Sequence, residues 1–190
     1  MSQVNYLSYF LSENTPLYGN SKGISIEKDK NIDKGDSCNT LNLSFPNHSS
    51  THIDLPCHFN QSGKSLNDYE ANFWDFNNVL LIDISSKVKD LQLIRPLMFP
   101  NKINKKVELL LIKTSYQQYR GTDRYTLTPP GLSPELANYF RKMYPSLRCI
   151  GMDLISVSSY GNREAGRRAH HEFLNPKHGD PILLIEDMKL

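Results

Sequence analysis

Short aliphatic runs alternate with polar, turn-rich stretches along the chain, and their spacing predicts the elements. Residues 79–84 (VLLIDI) and 107–112 (VELLLI) are continuous apolar runs of strand length, which predicts two buried strands. Residues 149–153 (CIGMD) and 181–186 (PILLIE) read the same way, the latter ending in a carboxylate. Ser133 predicts an N-cap and Pro134 suits a first helical position. Leu136, Ala137, Phe140 and Met143 follow at helical spacing, so a helix should run to Tyr144-Pro145. Residues 165–174 read as a second helix and 91–99 as a loop or short helix. Upstream, 15–23 (TPLYGNSKG) reads as a turn and 24–28 as a weakly alternating strand. Residues 41–45 (LNLSF) alternate as a half-buried strand would, leading into a run of histidines. Strands and helices alternate without a repeat or a linker, so residues 1–190 are expected to form a single α/β or α+β domain.

Composition narrows the class. Hydrophobic residues make up 38% and charged residues 22%, as in a soluble globular protein. A net charge of +2 is too small to make nucleic acid or a membrane surface the main partner. Cys38, Cys57 and Cys149 match neither a CxxC pair nor a disulfide framework, so three reduced thiols are expected. The N-terminus lacks a basic start with a long hydrophobic core, and no apolar segment reaches the roughly 20 residues of a span. A cytoplasmic protein is the expectation.

The six histidines fall into two stretches, at 48, 52 and 58 and at 170, 171 and 178. In an extended chain His52, Asp54, Pro56 and His58 share one face, and Ile53, Leu55, Cys57 and Phe59 the other. The first face is metal-competent and the second belongs to the core, which makes Cys57 a packed thiol. His52 and Asp54, about 6.6 Å apart, can converge on one ion. His48 would lie about 13 Å from His52 in an extended chain, so the chain must bend through 49–51. Two imidazoles and a carboxylate suit zinc, manganese or iron rather than calcium or magnesium. A solvent-facing strand with incidental histidines is the plain alternative. On a helix His170 and His171 point about 100° apart, so only one can join the same ion, with Glu186 as a further carboxylate. His178 reads as a loop residue.

The run HSSTHIDLPCHF at 48–59 resembles the HxGTHxDxPxH signature of the metal-dependent cyclase family, which includes bacterial kynurenine formamidases and isatin hydrolases. Further pieces resemble family segments in order: TPLYG at 15–19, LLLIKTSYQQY at 109–119, PPGLSPELANYF at 129–140, CIGMDLISV at 149–157, HHEFL at 170–174 and ILLIEDM at 182–188. The resemblance implies a swivelling β/β/α-type domain, a small barrel-like mixed sheet flanked by helices. It implies that His48, His52 and Asp54 bind one metal, that Asp54 bridges to a second held by His170 and Glu186, and that His58 is catalytic. His170 is preferred over His171 because the family histidine precedes its leucine by four residues, here Leu174. The implied cofactor is one or two zinc or manganese ions, and the implied assembly a homodimer or homotetramer. Three departures stand out. Ser50 replaces the glycine before the threonine, the segment NPKHGDP at 175–181 makes the spacing from His170 to Glu186 longer than in the family, and the segment 161–171 (GNREAGRRAHH) is basic where better-known members are acidic and proline-rich.

The expected function is hydrolysis of an amide, lactam, lactone or ester bond in a small molecule, by a water whose pKa a bound metal lowers to about 7. His58 would take that proton. Thr51 is expected to hold the ligand strand rather than react. Arg163, Arg167 and Arg168 could grip an anionic substrate; a solvated helix face or a subunit contact is the plainer reading. Trp74 and Tyr18 could line a pocket. A metal-dependent lyase, isomerase or cyclase, and a non-catalytic metal-binding scaffold, are the alternatives.

Overall fold

The computed structural model describes residues 4–190. In chain order its strands are β1 (Ser25–Lys30), β2 (Thr40–Ser44), β3 (His52–Asp54), β4 (Val79–Asp83), β5 (Leu93–Ile94), β6 (Leu109–Lys113), β7 (Gly131–Leu132), β8 (Cys149–Met152) and β9 (Leu183–Glu186). Its α-helices are α1 (Asp123–Leu127), α2 (Glu135–Met143) and α3 (Arg163–Leu174). This is the expected mixed α/β architecture, with helices against a small mixed sheet.

The main sheet has five strands in the order β3-β9-β8-β6-β4. Strands β4, β6, β8 and β9 run parallel, and β3 closes one side antiparallel to β9. β8 is buried throughout, as its unbroken apolar run dictates. β4 departs from the expected burial. Its residues alternate between exposed and half-buried, and Val79 and Leu81 remain about half exposed at 50% and 53%. It is an edge strand paired only with β6, and the face carrying Val79, Leu81 and Asp83 is exposed.

β1 and β2 form a separate antiparallel ribbon. The strand at 41–45 is present but not half-buried: all five residues of β2 are exposed. Among the described residues Leu41, Leu43 and Phe45 are left largely exposed.

α2 buries Leu136, Ala137, Phe140 and Met143, the four positions the spacing selects. Ser133 does not cap it with its side chain. Pro134 is the N-cap residue, and the Ser133 carbonyl accepts from the Leu136 N–H at 3.0 Å. α3 begins two residues earlier than expected, with the Asn162 side chain accepting from the Ala165 N–H at 3.1 Å. It buries Ala165, Gly166, Ala169, His170, Phe173 and Leu174. A histidine therefore sits within the inward stripe of this helix, aimed at the β3 end of the sheet. Among the described residues no helix is long and apolar enough to cross a membrane.

Candidate metal centre

The pairing of β3 with β9 builds the site. His52 lies directly opposite Glu186, and Asp54 opposite Leu184. Cross-strand partners share a face, and so do residues two apart on one strand. His52, Asp54 and Glu186 therefore project together, with ligand atoms all within 4.8 Å of one another.

The bend that brings in His48 is present. Ser50 adopts a left-handed backbone at φ +57, where glycine is the unstrained residue. That turn folds the chain back, so the His48 ring stands 4.9 Å from the His52 ring between centroids. It also aims the Ser50 carbonyl at His52, whose Nδ1 donates to it at 2.8 Å. With Nδ1 used in this way, Nε2 is left to face the cluster. His170 is prepared alike: Nδ1 donates to the Gly166 carbonyl at 2.8 Å, and Nε2 faces Asp54.

Asp54 is the centre of convergence, and is 1% exposed. Its Oδ1 is 2.9 Å from His48 Nδ1 and 3.5 Å from His52 Nε2, and its Oδ2 is 3.2 Å from His170 Nε2. His52 Nε2 and His170 Nε2 also approach Glu186, at 3.5 and 3.8 Å. Yet both Asp54 oxygens and His52 Nε2 are buried without a partner in hydrogen-bond geometry. Buried polar atoms left in this state are costly unless something else satisfies them. Ligand-type atoms drawn this close together without hydrogen-bond geometry are what a divalent ion would satisfy. Imidazole and carboxylate donors are the types that zinc and manganese take.

The electrostatics agree. Burial pushes the Asp54 carboxyl up, but the surrounding imidazoles of His170, His48 and His52 outweigh it and hold it well below the usual carboxylate range. Burial and then the Asp54 charge raise Glu186 to about 7. Burial lowers His52, but Asp54 and Glu186 win and raise it to about 9. Glu186 has one oxygen held: its Oε1 accepts from the Val157 N–H at 2.7 Å and from Ser156 Oγ at 3.2 Å.

His58 reaches the cluster, though not by strand parity. β3 ends at Asp54, and residues Pro56–His58 form a 3-10 turn. The turn rotates Cys57 outward, so this thiol is exposed, not packed in the core as alternation predicts. The same turn stacks the His58 ring 4.0 Å from that of His48, with its ligand atom within 4.8 Å of those of His48 and Asp54. Partial burial, opposed by Asp54 and reinforced by the other imidazoles, lowers His58 to about 4. His58 is thus neutral at pH 7. A pocket of about 430 Å³, lined by Asn47, His48, Ile53, Leu55, Cys57 and His58, opens beside it.

His171 is exposed and packs against Phe59, and His178 pairs with Glu172 at 3.3 Å; neither joins the cluster. Thr51 is a pin, as expected. Its hydroxyl donates to the Asp187 carbonyl and accepts from the Tyr9 N–H at 3.1 Å. Alternation of side chains missed the supporting brace: Asp187 accepts three hydrogen bonds from two nitrogens of Arg120, and Tyr125 donates to it as well. The only local signal for it is an acidic residue placed directly after a buried strand.

The family model described as "Putative cyclase" matches residues 6–159. A kynurenine formamidase of Geobacillus thermodenitrificans is 30% identical over 170 residues, covering 87% of this chain and 74% of its own length. That of Bacillus cereus is 27% identical over 177 residues, covering 93% and 78%. Isatin hydrolase A of Labrenzia aggregata superposes with a TM-score of 0.75 at 18% identity, covering 97% of this chain and 79% of that one. The counterpart from Ralstonia solanacearum gives 0.73 at 16%, covering 96% and 78%. The matched length, taken with the clustered histidines and carboxylates, shows that this chain belongs to the cyclase family and is a metal-dependent hydrolase.

Proposed function

We propose that His48, His52, Asp54, His170 and Glu186 bind one or two divalent ions, zinc or manganese, and that the chain hydrolyses an amide bond of a small molecule at this centre. The observation that carries the reading is Asp54: a buried carboxylate approached by three imidazoles, with neither oxygen hydrogen-bonded. Asp54 belongs to two ligand-type groups, one with His48 and His58 and one with His52 and Glu186, and its second oxygen faces His170, which supports Asp54 as the bridge if two ions bind.

A bound ion supplies Lewis acidity, which polarises a carbonyl and makes water acidic near neutral pH. The protein's own residues do the rest. His58, neutral and beside the pocket, accepts the water's proton and can return it to the leaving nitrogen. Ser50 and Gly166 fix the orientations of His52 and His170 through their carbonyls. Val157 and Ser156 hold Glu186. Formamides are the first substrates to try, because the relatives above are kynurenine formamidases; lactams, lactones and esters follow. Replacing His58 with glutamine should leave metal content intact and lower kcat by about 10²–10⁴-fold. Full activity in that variant removes it as the base.

The exposed apolar row on the β1–β2 ribbon, with Leu41 57% and Leu43 56% exposed, supports a homodimer or homotetramer in which a second copy covers it. Light scattering after size exclusion tests this, and a monomer at all concentrations refutes it. Three free cysteines are in keeping with a reducing, cytoplasmic setting.

A further inference from the structure

The three arginines of the basic segment do not act together. α3 carries Arg163, Arg167 and His170 at positions i, i+4 and i+7, which place them on one face. Arg168 lies off that face, in a different surface hollow with Arg95, Glu135 and Glu164. Along the helix axis Arg167 is about 4.5 Å and Arg163 about 10.5 Å from His170.

Arg163 and Arg167 line a pocket of about 400 Å³ together with Tyr18, Gly19, Ser21 and Ser158. Its walls are built rather than loose. The Arg163 guanidinium lies over the Tyr160 ring at 4.2 Å, and Tyr160 packs edge-on against Tyr18 at 5.5 Å. Gly19, at φ +67, lies so close that a Cβ there would stand 2.5 Å from the Tyr160 ring. The Tyr18 hydroxyl is buried and has no hydrogen-bond partner. Burial raises it to about 12, so it is a neutral donor. Among the described residues the arginines engaged in ion pairs are Arg95, Arg120, Arg124 and Arg148, which leaves the two pocket arginines without a carboxylate. The positive end of the α3 dipole adds to the same field.

The pocket adjoins the metal cluster through two supports. Ser158 follows Val157, whose N–H holds Glu186. Ser158 also packs against Gly166, whose carbonyl holds His170.

We infer that Arg163, Arg167 and Tyr18 form a subsite for a carboxylate carried by the substrate, one to two helical turns from the scissile bond. This rests on the hydrolytic reading of the cluster. Two guanidinium groups and one hydroxyl supply enough donors for both carboxylate oxygens.

The test compares 4-formamidobenzoate with formanilide, which lacks the carboxylate, and titrates benzoate calorimetrically as a probe that needs no turnover. The wild type should favour the anionic substrate. In the Arg163→Gln/Arg167→Gln double variant the ratio of the two kcat/KM values should fall by about tenfold or more, through KM, and benzoate should bind about tenfold more weakly. Tyr18→Phe should shift both in the same direction by less. The exposed arginines can be replaced with the fold retained, which circular dichroism checks. An unchanged ratio together with unchanged benzoate binding overturns the subsite. If the wild type cleaves neither substrate, formamide hydrolysis fails, and the benzoate titration alone decides the subsite: unaltered binding in the double variant overturns it, and weakened binding supports it.

Discussion

Arg120 grips Asp187 through two nitrogens, Nε at 3.0 Å and Nη2 at 2.8 Å, and Asp187 is the residue directly after Glu186. The pair braces the site from behind. The Asp187 carbonyl is held by Thr51, next to His52, so one residue ties both ligand strands together. Arg120→Ala leaves a carboxylate that is almost fully buried without its cation, at a cost of about 3–5 kcal/mol. Urea denaturation should show that loss, and metal affinity should fall with it. Arg120→Lys keeps the charge and should recover part of both.

Ser50 occupies a left-handed backbone position at φ +57. An L-residue there bears about 1–2 kcal/mol of strain that glycine escapes, although glycine also enlarges the entropy of the unfolded chain. Ser50→Gly should therefore stay within about 1 kcal/mol of wild type in thermal denaturation and keep its metal. Ser50→Val, a β-branched side chain at positive φ, should lower both stability and metal content.

The convergence of His52 and Asp54 was legible because β3 alternates strictly over those residues, and the approach of His48 because a bend at 49–51 brings it back, whereas His170 and Glu186 followed mainly from the family resemblance. Alternation failed beyond Leu55, where Pro56 opens a 3-10 turn and Cys57 swings out to solvent. It also misjudged β2, and the continuous apolar run misjudged β4, since a hydrophobic pattern records which residues are apolar and not whether anything covers them. The Arg120–Asp187 brace spans 67 residues and leaves no trace in local spacing. The Arg163–Arg167 face was hidden among three neighbouring arginines until the helix separated them.

Cysteine reactivity offers a direct check on that correction. Cys57 is exposed and lines the pocket beside His58, whereas burial pushes the Cys149 thiol up to about 12. A disulfide reagent at pH 8 should label Cys57 readily in the native protein and spare Cys149 until it unfolds. Labelling at Cys57 should block turnover, and a Cys57→Ser variant should resist the block.

Metal uptake should release protons. In the protein alone Asp54 and Glu186, against the opposing pull of burial, raise His52 to about 9, so its Nε2 carries a proton at pH 7 that an ion must displace. Apparent metal affinity should then rise with pH between about 7 and 9. Calorimetry in buffers of different ionisation enthalpy measures the protons released. Affinity independent of pH across that window contradicts the assignment of His52.

An ion that binds only the folded chain also stabilises it. At a free concentration one hundred times Kd the gain is about 2.7 kcal/mol. A chelator should lower Tm, and zinc or manganese added back should restore it, in wild type but not in a variant lacking Asp54.

The most direct measurement is the metal content of purified Asp54→Ala beside wild type, by plasma mass spectrometry after dialysis, with circular dichroism to confirm folding. The account predicts zinc or manganese bound near stoichiometrically in wild type and only background metal in the folded variant. Equal metal in both proteins would contradict it.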